Sequence, residues 1–136
     1  MTAADAPFQS LDYLYVPAPD FERAVRFYTA ALGGELRWRI HDAGTRVGAV
    51  RMAPTGPLVL IASHLEAGQA IFIYRVANLD EVQRRLEREG FSIESSTIEI
   101  PPGPCLVFRD PAGQRLAAYE RVRPGVERSF EGRFDA

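Results

Sequence analysis

The chain has 136 residues, 46% of them hydrophobic, and a net charge of −2. That is enough apolar material for one buried core and too little basic charge to attract a phosphate backbone, so nucleic acid is not an expected partner. Nothing approaches the roughly 18 consecutive apolar residues of a membrane span; the opening MTAADAPFQS also lacks the regions of a secretory signal, so a cytoplasmic location and no membrane partner are expected.

The first stretch, LDYLYVPAPDFERAVRFYTAALGG, reads as a strand over 11–16 delivered into an amphipathic helix. Pro17 and Pro19 stop the ladder because neither can donate a backbone hydrogen bond. Asp20 is the expected N-cap; Phe21, Ala24, Val25, Tyr28, Ala31 and Leu32 share one face, and Gly33 and Gly34 supply the C-terminal cap. Strands are expected over 35–41, with Leu36, Trp38 and Ile40 alternating against charged residues, then over 46–52 and 57–62. The polar segment 63–68 connects to a strand over 70–76. Asn78 caps a second helix, with Glu81 as its capping-box partner and Leu79, Val82 and Leu86 as its buried stripe. Its RRLERE run reads as a solvated face. Strands over 91–100, 104–109 and 114–119 follow, the last pair joined by a turn at 110–113.

Both halves therefore read β-α-β-β-β. Val16 aligns with Val76, Asp20 with Asn78, and Pro54-Thr55-Gly56 with Pro111-Ala112-Gly113, which identifies a diverged internal duplication. The expected fold class is α+β, with two βαβββ modules enclosing a cleft or half-barrel and both helices outside. Residues 1–8 are an N-terminal extension, 9–62 and 69–121 the two modules, and 122–136 a tail without periodicity. Phe130 and Phe134 are its candidates for docking on the domain or on another subunit.

FYTAALGG (27–34), VANLDEVQRRLEREGF (76–91) and FRDPAGQRLAAYE (108–120), in that order and separation, resemble the vicinal oxygen chelate superfamily of glyoxalases, bleomycin-resistance proteins and extradiol dioxygenases. The resemblance implies this fold, a small-molecule ligand and a homodimer. It also implies metal ligands at matching strand positions, which fall here on Leu11, Leu60, Ile71 and Ala117. None has a lone pair to offer, so no metal and no other cofactor are expected. A slip of one residue would bring in Asp12. His41 and His64 lie in or beside loops, and Glu120 reads as structural.

Strand parity places Leu11, Tyr13, Tyr15, Leu60, Ile71, Ile73, Arg75, Arg115, Ala117 and Tyr119 on the cleft wall, with Trp38 as an aromatic that stacks on a ligand or fills the core. The lone cysteine, Cys105, excludes an internal disulfide and reads as a buried structural thiol; the absence of lysine excludes Schiff-base chemistry. No catalytic residue is assigned. The leading expectation is a metal-independent protein that binds or sequesters a small hydrophobic or aromatic molecule. The alternatives are a lyase, isomerase or dioxygenase-like enzyme acting on a small carbonyl compound, with Arg75, Arg115 and a tyrosine polarising the carbonyl, and a structural or regulatory dimer without a ligand.

Overall fold

The computed structural model describes residues 6–66, 68–94 and 97–136. The first half forms β1 (Phe8–Pro17), α1 (Phe21–Arg26) with a π-helical turn (Phe27–Ala31), β2 (Glu35–Asp42), β3 (Thr45–Arg51) and β4 (Leu58–Ala62). The second forms β5 (Ile71–Val76), α2 (Leu79–Arg88), β6 (Ile98–Ile100), β7 (Gly103–Arg109) and β8 (Arg115–Tyr119), followed in the tail by α3 (Val126–Phe130). The strands make one curled, eight-stranded mixed sheet in the order β2-β3-β4-β1-β5-β8-β7-β6. β1 lies parallel to β4 and antiparallel to β5, so the two halves meet edge to edge within this chain.

Apolar side chains on the two faces of the sheet make separate cores. On the outer face Phe21 of α1 packs with Ala18, Val59 and Ile61, and Leu79 and Val82 of α2 pack with Val76, Leu106, Phe108 and Ala118. On the inner face Tyr13, Ile71, Ile73, Cys105, Val107, Ala117 and Tyr119 form the shared interior. Each large apolar side chain taken fully out of water stabilises the fold by about 2 kcal/mol, which ties both helices to the outside and leaves the curved inner face to enclose the cleft.

Both N-caps form as expected: Asp20 accepts from the Arg23 N–H at 3.2 Å and Asn78 from the Glu81 N–H at 3.1 Å. A second carboxylate serves α2, because Glu120 accepts the Leu79 N–H at 3.0 Å. Glu120 thus holds a helix N-terminus, where a negative charge is favoured. Two elements depart from expectation. The first helix is α-helical only to Arg26, because the Thr29 hydroxyl bonds the Val25 carbonyl at 2.6 Å and competes for the acceptor that the next turn needs; the π turn follows, and Gly33 closes it with a positive φ of 81°. The strand expected over 91–100 is reduced to an isolated bridge at Ile93 and to β6, with 95 and 96 outside the described residues. Residues 1–5 and 67, in the expected extension and connection, also lie outside them.

Candidate functional site

The site begins with an irregularity in β1. Tyr13 pairs with Ile73 across the seam, but Leu11 pairs with Tyr74, which leaves Asp12 as one extra residue on β1. This is a β-bulge, and a one-residue slip turns the following side chains to the other face. Tyr74 meets Phe8 edge-on at 5.3 Å, and Phe8 packs into the core under α2. Leu11, opposite Tyr74, therefore lies on the outer face rather than on the cleft wall where strand alternation put it. Asp12 takes the inward place beside Tyr13.

The Asp12 carboxylate is held from three sides. The Tyr119 hydroxyl donates to Oδ2, the Ser10 hydroxyl donates to Oδ1 at 2.6 Å, and the Arg75 Nε lies 3.5 Å from Oδ2 as an ion pair. Arg75 also donates through Nη2 to Ser10 Oγ at 3.2 Å. Tyr119 is fully buried, so its hydroxyl has to find a protein acceptor. These four residues join β1, β5 and β8 across the seam between the modules.

The inner face of the sheet also bears a cavity of about 380 Å³. Tyr13, Tyr15, Ile73 and Leu60 form its floor; Trp38, Ile40 and Val47 form one wall; Ile100, Pro101 and Pro102 form the opposite wall. Val126, Phe130 and Arg133 of the tail close a further side, and Asp42 and Thr45 stand at the rim. The Trp38 and Phe130 rings lie 5.1 Å apart and tilted, a favourable aromatic contact. Arg133 is engaged, since its Nε and Nη2 donate to Asp135 at 3.1 and 2.9 Å.

Of the residues expected on the wall, Tyr13, Tyr15, Trp38, Leu60 and Ile73 line this cavity. Ile71, Ala117 and Tyr119 sit in the core beside it. Arg75 is taken up by the Asp12 network, and Arg115 makes a two-pronged pair with Glu94 at 3.0 and 2.8 Å. Both arginines are thus paired with protein carboxylates. His64, read from the sequence as part of a solvated loop, is exposed in the turn after β4 and places Nε2 3.3 Å from the Tyr15 hydroxyl. Burial pushes the Tyr15 phenol up to about 12, so it stays protonated across the physiological range.

Phe130, a candidate from the sequence for docking on the domain, closes one side of the cavity, whereas the β6–β7 turn was not expected there. Ile40 shares the parity of Trp38, so the alternation that singled out Trp38 also marked it. Pro101 and Pro102 carry no comparable signal, because they reach the cleft only through long-range folding.

The family model described as the Glyoxalase/Bleomycin resistance protein/Dioxygenase superfamily matches residues 10–118. The chain belongs to that superfamily. Among solved structures, a similar one is methylmalonyl-CoA epimerase from Mycobacterium tuberculosis, with a TM-score of 0.72 and 17% identity over 91% of this chain and 95% of that one. Another is a variant of the Streptomyces coelicolor methylmalonyl-CoA epimerase in complex with 2-nitronate-propionyl-CoA, with a TM-score of 0.67 and 12% identity over 85% and 99%. A hypothetical protein from Bacillus halodurans matches with a TM-score of 0.62 and 12% identity over 82% and 93%. At these identities the likeness concerns the fold alone. No curated protein matches the chain.

The metal that this superfamily implies meets a poor donor set here. The bulge exchanges Leu11 for Asp12 at the first expected ligand position, but Leu60, Ile71 and Ala117 remain aliphatic, and Asp12 is already engaged by Tyr119, Ser10 and Arg75. Among the described residues no three His, Cys, Asp or Glu side chains converge. The residues present do not fit a divalent ion.

Proposed function

We propose that this superfamily member binds and sequesters a small hydrophobic or aromatic molecule in the cleft between its modules, without a metal. The observation that carries this reading is the cavity of about 380 Å³ with Tyr13, Tyr15, Trp38 and Phe130 around it. Its volume falls within the range of about 300–1,000 Å³ common to small-molecule sites. Flat apolar bodies stack on such rings, while the tyrosine hydroxyls and the Trp38 indole N–H supply a few orienting donors. Native mass spectrometry of protein purified from its source would look for a retained molecule. A thermal-shift screen of aromatic compounds supplies the second arm, because a ligand that binds only the folded state raises the midpoint. A screen without any stabiliser, and no mass excess, refutes the reading. The same preparation gives the oligomeric state by sedimentation, where a dimer is expected from the family resemblance.

A second reading is favoured by the contact between Tyr15 and His64. A protonated phenol facing the cavity can polarise a substrate carbonyl, and the neighbouring imidazole can take a proton from the adjacent carbon. That reading makes the protein a lyase or isomerase of small carbonyl compounds, a class for which the epimerase-like neighbours give only a common scaffold. Incubating a panel of small keto acids and thioesters in deuterated buffer tests it. His64-dependent exchange at the carbon next to the carbonyl supports catalysis; its absence leaves binding as the function.

A further inference from the structure

The curled sheet ends in β2 on one side and β6 on the other, and the tail spans the opening between these ends. Its near end is tied to the β6–β7 turn. Arg123 donates from its backbone N–H to the Pro102 carbonyl at 2.9 Å, from Nε to Pro101 at 2.8 Å and from Nη2 to Ile100 at 2.9 Å. The far end runs along the free edge of β2, where the Arg39 N–H donates to Arg133 at 2.8 Å and the Asp135 N–H to Arg39 at 3.0 Å. Between these anchors Val126 and Phe130 face the cavity.

The far attachment is of a kind that opens easily. Its side-chain contacts, Arg37 with Glu131 and the His41 N–H with the Asp135 carboxylate, are exposed and contribute little each. Its main apolar contact is Phe130 on Trp38. Pro124 and Gly125, before α3, are exposed, and nothing lies within 4 Å of where a Cβ on Gly125 would stand. Segments with few buried contacts and exposed hydrogen bonds are the first to undock.

We propose that residues 126–136 are a hinged wall of the binding site. The wall lifts from β2 to admit an aromatic ligand, then closes over it, and Phe130 sets the ligand size that the closed cleft accepts. This inference rests on the cleft being the ligand site, and it adds the moving part. Because Trp38 is the sole tryptophan and touches Phe130, its emission reports both undocking and occupancy.

The test locks the wall in place. Arg39 and Phe134 are bridge partners, so the double variant Arg39→Cys/Phe134→Cys brings two thiols within disulfide reach, while Cys105 stays buried. Binding of 8-anilinonaphthalene-1-sulfonate is followed in stopped flow by energy transfer from Trp38, with circular dichroism to check the fold. The oxidised form is expected to bind at least about tenfold more slowly than the same protein reduced, since only the open fraction is competent. A second variant, Phe130→Ala, is expected to bind and release the probe faster than the native chain and to accept bulkier naphthalene probes. Equal rates in the oxidised and reduced forms, or an unchanged profile for Phe130→Ala, overturn the hinged wall while leaving the cleft reading intact. If the probe elicits no transfer from Trp38 in any form, the cleft reading falls and the wall with it.

Discussion

Replacing Asp12 by alanine removes the acceptor on which the seam network converges. The Tyr119 hydroxyl then lies in a fully buried residue without its carboxylate; losing a hydrogen bond to a charged acceptor costs about 1.5–3 kcal/mol. For the Arg75 pair, a separation of 3.5 Å gives about 5 kcal/mol of gross attraction at an effective dielectric constant of 20. Both side chains keep contact with water, which brings the net contribution down to about 1 kcal/mol. Asp12→Ala should therefore lose about 3–4 kcal/mol, and Tyr119→Phe about 2 kcal/mol. The double variant should be little worse than Asp12→Ala, because the bond they share can be lost only once; the coupling in a double-mutant cycle is then about 2 kcal/mol. Urea unfolding followed through Trp38 fluorescence measures all four corners, and the midpoint temperature of Asp12→Ala should fall by about 10 °C. Additive losses, with a coupling below about 0.5 kcal/mol, would refute the network as the element that fixes the seam.

Gly103 has no room for a side chain: a Cβ would run into the Glu120 carbonyl oxygen and stand 3.2 Å from Val122 Cγ2. Gly103→Ala is expected to cost about 2–3 kcal/mol in urea unfolding, and a loss under about 0.5 kcal/mol would contradict the packing. The buried Cys105 thiol, pushed up to about 11, should resist Ellman's reagent in the native protein and react only on unfolding. Since the fold favours the neutral thiol, stability should also decline as pH rises from the ordinary value of 9.0 towards 11, and Cys105→Ala should show a smaller decline, with the part due to Tyr15 left. Asp135 is held below the ordinary carboxyl value of 3.8, first by its hydrogen bond from Arg133 and then by the His41 N–H. Its contribution is present above that value and lost as pH falls through the lower folded one, so Trp38 emission should report undocking of the tail in strong acid. An identical transition in Asp135→Asn would remove Asp135 from the explanation.

The duplication, the strand order within each half and both helix caps were legible in the sequence because they rest on local signals. Asp20, Asn78, the Gly-containing turns and period-two alternation each act within a few residues. The bulge at Asp12 was not legible, because Leu11 and Asp12 are equally compatible with a strand and only pairing with β5 decides which one turns inward. The same applies to Arg75 and Arg115. Parity placed them at the ends of the cleft, but their partners, Asp12 and Glu94, come from other strands and loops. The tail carried no periodicity since it follows the edge of β2 by a few backbone bonds and covers the cleft with isolated apolar side chains. His64 is solvated as read, but its contact with Tyr15 was not legible because the two lie 49 positions apart.

The bulge also bears on what a fused duplication permits. Two identical half-length chains meeting about a twofold axis would present each feature twice, once on either side of the seam. Here β1 carries extra residues that β5 lacks, at Asp12 and between Phe8 and Ser10, and one carboxylate stands off the axis with a tyrosine, an arginine and a serine arranged around it. The seam between the halves is thus asymmetric, with its charged groups gathered at one place along β1. Matching positions of the two halves are therefore not interchangeable, and a substitution on one side of the seam has no equivalent on the other.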